Sequence, residues 1–218
     1  MRMNRHRTHT GRLLAALLGA LAGSVSVAHA QVISGTVVDT RTDRVLSEAR
    51  VELVTDTLGS VVESSTTGKQ GTFALTTRPT GPFRVRFSMA YGGGWEVTMV
   101  ALAPTEVVKR EWAVPPTVAV TYHESQVTNR VEPLKVSSRI AFPMGEEEAR
   151  MAGSVMAYFT VDTTGLIDLF TVKVKGPTAG FEAAVLKWLP NARFIPADID
   201  RVRVRQYTYQ QFQFGGAR

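Results

Sequence analysis

The sequence has 218 residues, no cysteine, four histidines and a formal net charge of +6. This length holds one large domain or two small ones, and the missing cysteine excludes a disulfide framework, a thiol nucleophile and a lipid-modified N-terminal Cys. Hydrolytic triads and zinc sites normally need His or Cys. His6, His9 and His29 all precede Gln31, so His123 alone remains beyond it. The composition therefore points away from an enzyme and gives no reason to expect a cofactor or a metal.

In chain order, Met1–Arg12 carries Arg2, Arg5, Arg7 and Arg12 and no acid, Leu13–Ala22 is apolar, and Ala28-His29-Ala30 is a small-x-small site. That order is expected of a secretory signal peptide over residues 1–30, cleaved before Gln31; the alternative is an uncleaved anchor. The apolar run is shorter than the roughly 20 residues a membrane-spanning helix needs, and no transmembrane segment is expected in the mature chain. Removing the signal leaves 21 Lys+Arg against 19 Asp+Glu. The basic pI near 9.9 then loses most of its weight as a sign of nucleic-acid binding, and no nucleic-acid partner is expected.

Residues 31–115 read as β throughout. Strands are predicted at Val32–Asp39, Ala49–Val54, Val61–Thr66, Thr72–Thr76, Phe83–Met89, Trp95–Leu102 and Val107–Val114, separated by turn signals such as Gly68-Lys69-Gln70-Gly71 and Gly92-Gly93-Gly94. About seven short strands with no helical period predict a sandwich. Tyr91-Gly92-Gly93-Gly94-Trp95 precedes a strand, so it reads as a hairpin tip rather than a phosphate cradle. Residues 116–140, opened by Pro115-Pro116 and interrupted by Pro133, read as a linker, although Val118–Tyr122 also fits a further strand of the sandwich.

Residues 141–218 change style. Glu146-Glu147-Glu148 reads as the solvated start of a helix. Gly153–Val161 and Leu166–Val174 form a predicted hairpin about the turn Asp162-Thr163-Thr164-Gly165. Phe181, Ala184, Val185, Trp188 and Leu189 make an apolar stripe at helical spacing, ended by Pro190. A last strand is predicted over Val202–Phe214. The fold class is mainly β plus α+β: a seven-stranded sandwich, then a small β-β-α-β unit.

Two family resemblances sit on these residues. Ile33-Ser34-Gly35-Thr36-Val37-Val38-Asp39, Ala49-Arg50-Val51-Glu52-Leu53 and Thr67-Gly68-Lys69-Gln70-Gly71-Thr72-Phe73-Ala74-Leu75 resemble the carboxypeptidase regulatory-like domain over roughly 32–114, with Gly81-Pro82-Phe83-Arg84-Val85 where that family enters its next strand. The resemblance implies a transthyretin-like sandwich acting as an accessory or binding module. The second unit is similar to the TonB C-terminal domain family. Phe142-Pro143, Gly153-Ser154-Val155, Phe159-Thr160-Val161 with Gly165, Phe181 with Ala184, and Trp188 with Arg193-Phe194-Ile195-Pro196 follow that family's order. The chain departs from it at Asp198-Ile199-Asp200-Arg201, where family members usually carry a glycine, and in lacking a long Pro-rich spacer.

The TonB resemblance implies a periplasmic interaction module that binds an envelope protein, such as a TonB-dependent outer-membrane receptor, by adding a partner strand to a sheet edge. The last strand is the candidate edge, with Arg203, Arg205, Tyr207, Tyr209 and Gln211 as candidate partner-binding residues and Phe142 and Pro143 flanking the groove. Val202 and Val204 alternate with the arginines, while Tyr207 and Tyr209 take the arginine phase. This apparent change of apolar face predicts a bulge near Gln206 or Gln210–Gln211. The alternative is a scaffold protein that bridges envelope components or dimerises through the same edge.

Overall fold

The computed structural model describes residues 31–55, 59–77, 82–99, 101–103, 105–134, 140–143 and 152–215. The signal-peptide segment and Glu146–Glu148 lie outside the described residues.

Strands β1 (Gln31–Asp39), β2 (Arg44–Val45), β3 (Arg50–Thr55), β4 (Val61–Thr66), β5 (Thr72–Thr77), β6 (Phe83–Ser88), β7 (Gly94–Met99) and β8 (Val107–Ala113) build a β-sandwich. One sheet centres on β1, which pairs antiparallel with β5 and β2 and parallel with β8. The other runs β4-β3-β6-β7. The period-two pattern assigns the faces. Phe83, Val85 and Phe87 point into the core, and Arg84 and Arg86 point out to Glu96 on β7, both at 2.6 Å.

The residues that carry the regulatory-like resemblance have identifiable physical tasks. A Cβ on Gly35 would fall 1.8 Å from the Arg110 carbonyl oxygen and 2.7 Å from Trp112 Nε1. Only glycine lets β8 run this close, and the Trp112 indole then donates to Ser34 O at 3.1 Å. Thr67 Oγ1 donates to Leu46 O at 2.6 Å and accepts from Ala49 N at 2.9 Å. Phe73 and Leu75 enter the core, where Phe73, Phe87 and Trp112 meet with ring centroids 5.4–5.9 Å apart.

The described part of 116–140, expected to run as a linker, is packed. Val120 and Tyr122 are buried with the sandwich core. Strand β9 (Thr121–Tyr122) is followed by a 3-10 turn at Glu124–Gln126, and β10 (Glu132–Pro133) pairs with β13 (Phe194–Ile195). Beyond it come β11 (Gly153–Val161), β12 (Ile167–Lys175), α1 (Ala179–Trp188), β14 (Asp198–Ile199), β15 (Val202–Arg203) and β16 (Arg205–Phe214).

Helix α1 starts at the Thr178 cap, whose side chain accepts from Phe181 N, a contact worth about 1 kcal/mol. Phe181, Val185 and Leu189 are fully buried, and Ala184 and Trp188 pack half-buried beside them, which is the predicted stripe. The helix covers the inner face of the sheet ordered β12-β11-β16-β9. The hairpin turn is held by Asp162 Oδ1, which accepts from Thr164 N, Thr164 Oγ1 and Leu166 N. Gly165 is required there, since a Cβ would stand 2.1 Å from Phe194 O.

Two buried clusters result, one inside the sandwich and one under α1. The first also takes in Ala197, Ile199 and Val204 from the C-terminal half.

Candidate partner-binding edge

β16 pairs antiparallel with β11 in an unbroken register from Gly153↔Phe214 to Val161↔Gln206. The expected bulge near Gln206 or Gln210–Gln211 is absent; the sheet's irregularity lies between β11 and β12 instead. One inward row, Val204, Gln206, Thr208, Gln210, Phe212 and Phe214, runs the whole strand. Val204 belongs to the first core and Phe212 and Phe214 to the second. The amide and hydroxyl residues between them cross the seam. Gln206 is 1 % exposed, and its Oε1 accepts from Val131 N at 2.8 Å. The polar stretch that looked like a phase change is a seam between two cores.

On its other side β16 pairs with β9, in parallel, at Arg205↔Thr121 and Gln206↔Tyr122. From Tyr207 to Phe214 this side has no strand partner among the described residues. The β6–β7 tip fixes where the open stretch begins. Thr121 N donates to Gly92 O at 3.2 Å, so the tip is tied to β9, and Tyr91 lies over Tyr207 with ring centroids 4.8 Å apart. His123 also stacks on Tyr91, with ring centroids 5.4 Å apart.

The sequence-derived residues divide between two faces of this edge. Arg205, Tyr207, Tyr209 and Gln211 share the outer face. The Arg205 guanidinium is paired with Asp168 at 2.5 Å and donates to Thr121 Oγ1 at 3.5 Å. Tyr209 is 57 % exposed beside Tyr158 at 6.2 Å. The Gln211 amide donates to Ser154 Oγ at 2.7 Å. Burial, and then the neighbouring Tyr158 and Tyr91, raise the Tyr207 hydroxyl above its ordinary pKa, so it stays a neutral donor. Phe142 sits on the inner side, edge-on to Phe181 at 5.7 Å and Phe214 at 5.9 Å, and Pro143 is half-buried next to it. Arg203 is exposed on β15 and stands apart from the strand-edge row.

Below the start of the edge is a cavity of about 310 Å³, lined by Arg41, Thr42, Asp162, Arg203 and Arg205 among others. Arg41 is held by Asp39 and Arg205 by Asp168, so its charges are largely balanced internally. Among the described residues no group of three His, Cys, Asp or Glu could hold a metal ion, and no helix is long and apolar enough to cross a membrane. Sequence reasoning missed Tyr91, Tyr158 and Asp168 as neighbours of the edge. Their proximity comes from tertiary contacts, with the Tyr91 tip tied to β9 and β12 and β11 paired in turn beside β16, which leave no local signal.

Solved structures similar to the chain include BcpA, the major pilin subunit of Bacillus cereus (13 % identity, 38 % of this chain and 29 % of that one, TM-score 0.29). Others are the Bacillus anthracis TIE protein (11 %, 86 % and 31 %, TM-score 0.35) and a putative carbohydrate binding protein from Bacteroides uniformis (14 %, 84 % and 99 %, TM-score 0.32). The chain spans under a third of the length of the first two. Likeness at this level carries no functional argument. No curated protein matches the chain. Residues 32–113, the sandwich derived above, match the family model of the carboxypeptidase regulatory-like domain.

Proposed function

We propose that the chain is an exported, non-enzymatic protein of the Gram-negative envelope, acting in the periplasm. In this reading its C-terminal β-β-α-β unit is a TonB-like interaction module. It binds an extended segment of an envelope partner, a TonB-dependent outer-membrane receptor being the class the resemblance implies, and the sandwich serves as an accessory domain. The observation that supports it is the strand edge from Tyr207 to Phe214, unpaired among the described residues. An added strand would satisfy its backbone groups, while Tyr207, Tyr209 and Gln211 on one face and Phe142 on the other select side chains.

The test uses residues 31–218 and synthetic peptides from the periplasmic N-terminal segments of outer-membrane receptors, titrated calorimetrically. Successive N–H groups in a strand point to opposite edges. Of Tyr209→Pro and Gln210→Pro, one therefore breaks the ladder to β11 and the other removes only a donor on the open edge. The variant that keeps near-native stability is expected to weaken peptide binding at least tenfold. Binding that survives in that variant rules out strand addition at this edge. The scaffold reading predicts instead a concentration-dependent mass in light scattering that the same variant abolishes.

A further inference from the structure

The outer face of the β12-β11-β16 sheet has an unusual composition. The registers place Lys173, Tyr158 and Tyr209 in one row across it, Lys175, Met156 and Gln211 in the next, and Asp168, Thr160 and Tyr207 in a third. Asp168 is the sole acid in these rows and is neutralised by Arg205. Lys173 and Lys175 are exposed and have no ion-pair partner among the described residues. The face is net positive and rich in tyrosine.

Between the Lys173 and Asp168 rows, β12 departs from its ladder. Tyr158 and Thr160 are two residues apart on β11, but their partners Lys173 and Asp168 are five apart on β12. The surplus residues bulge outward at the sheet edge and carry Leu169, 53 % exposed, and Phe170, 103 % exposed. Leu166, immediately before the same strand, is 40 % exposed. The protrusion is braced. Thr171 Oγ1 accepts from Thr160 N at 2.8 Å and donates to Asp168 O at 2.7 Å, and Phe170 N donates to Asp168 Oδ1 at 3.2 Å. A phenylalanine is thus held in water by a hydrogen-bonded bulge, a device that re-aims side chains at sheet edges.

We infer that this face docks on the surface of an anionic phospholipid bilayer. Leu169 and Phe170 enter the acyl boundary, Tyr158 and Tyr209 lie at headgroup level, and Lys173 and Lys175 meet lipid phosphates. A convex apolar tip favours this occupant: a protein partner would need a matching pocket, whereas a bilayer yields to the side chain. Clustered lysines without free acid supply the charge complementarity. The backbone edge of β16 lies at the opposite side of the sheet from β12, but Tyr209 serves in both readings, so docking and strand addition compete for it; the inference does not rest on strand addition.

The test is co-sedimentation of residues 31–218 with vesicles of phosphatidylethanolamine and phosphatidylglycerol, compared with phosphatidylcholine alone. Partitioning to the anionic vesicles is expected, falling as salt rises. Leu169→Ser with Phe170→Ser should reduce it at least tenfold, and Lys173→Gln with Lys175→Gln by about fivefold per lysine. Soluble glycerol phosphate should not compete, because it offers nothing to Phe170. Absence of partitioning overturns the inference, as does partitioning that the Leu169→Ser, Phe170→Ser variant retains. So does a dimer in light scattering that this variant dissociates without any change at vesicles, which would identify a second copy as the occupant.

Discussion

Asp39 joins two distant parts of the chain at one carboxylate. It is fully buried, accepts from Arg41 N, Nε and Nη2 at 2.8–3.1 Å, and accepts from Tyr122 Oη at 2.5 Å. Burial alone would push its pKa up, but the hydrogen bonds from Arg41 and Tyr122 outweigh burial and hold it below the ordinary value. Burial, and then the bond to Asp39, push the Tyr122 hydroxyl up. The signs follow from linkage. A depressed carboxyl contributes stability that is present above about pH 4, the unfolded carboxylate range, and is lost as pH falls through the folded value. A raised phenol contributes stability that is present below about pH 10 and is lost above it. Urea midpoints of the native chain are expected to fall on acidification below about pH 4, and Asp39→Asn to flatten that fall while lowering the midpoint at pH 7. An unchanged acid limb would remove Asp39 as its source. The sequence motif marks Asp39 as a strand-end residue; its partner Tyr122 is 83 positions away, beyond the reach of local pattern.

At the level of elements, the strands, the hairpin turn and α1 were largely legible, because period and turn chemistry are local. The turn from β14 to β15 shows what a missing glycine means. Asp200 and Arg201 have φ of 50° and 77°, the left-handed pair of a two-residue hairpin turn that favours Asn-Gly. Thr128 Oγ1 accepts from Asp200 N at 3.2 Å, and Asp198 Oδ1 accepts from Arg201 N at 3.2 Å, bracing the turn. Arg201→Gly relieves the side-chain strain at some cost in chain entropy. It is expected to raise stability by about 0.5–1 kcal/mol, read by chemical denaturation; a loss of stability would mean that the Arg201 side chain makes an offsetting contact. Two elements misled the pattern. The inward amides of β16 looked like a bulge because alternation assumes one continuous apolar core. The real bulge in β12 was hidden because Leu169-Phe170 reads as ordinary strand sequence whichever way it points.

On the scale of the whole molecule, the proline and polar content of 116–140 reads as a linker between two domains and carries no information on whether they touch. The first core nevertheless holds Val120 and Tyr122 together with Ala197, Ile199 and Val204. β9 pairs with β16, and the Arg44–Asp200 ion pair at 2.8 Å spans the same junction from the surface. Burial of this kind couples unfolding of the two halves. Chains retaining Trp112 alone, in the first core, or Trp188 alone, against the second, are expected to give coincident urea transitions. Separate midpoints would show that the halves unfold independently.

The contribution of Ile199 and Val204 to the first core also bears on the order in which the chain is made. Synthesis runs from the N-terminus, and domains generally fold as units when their residues emerge. Here the sandwich strands emerge first, but the apolar surface that meets Ile199 and Val204 stays uncovered until nearly all of the described chain has been translated. A nascent chain therefore waits, incompletely packed, on its own distal segment, which gives chaperones a long interval in which to engage it.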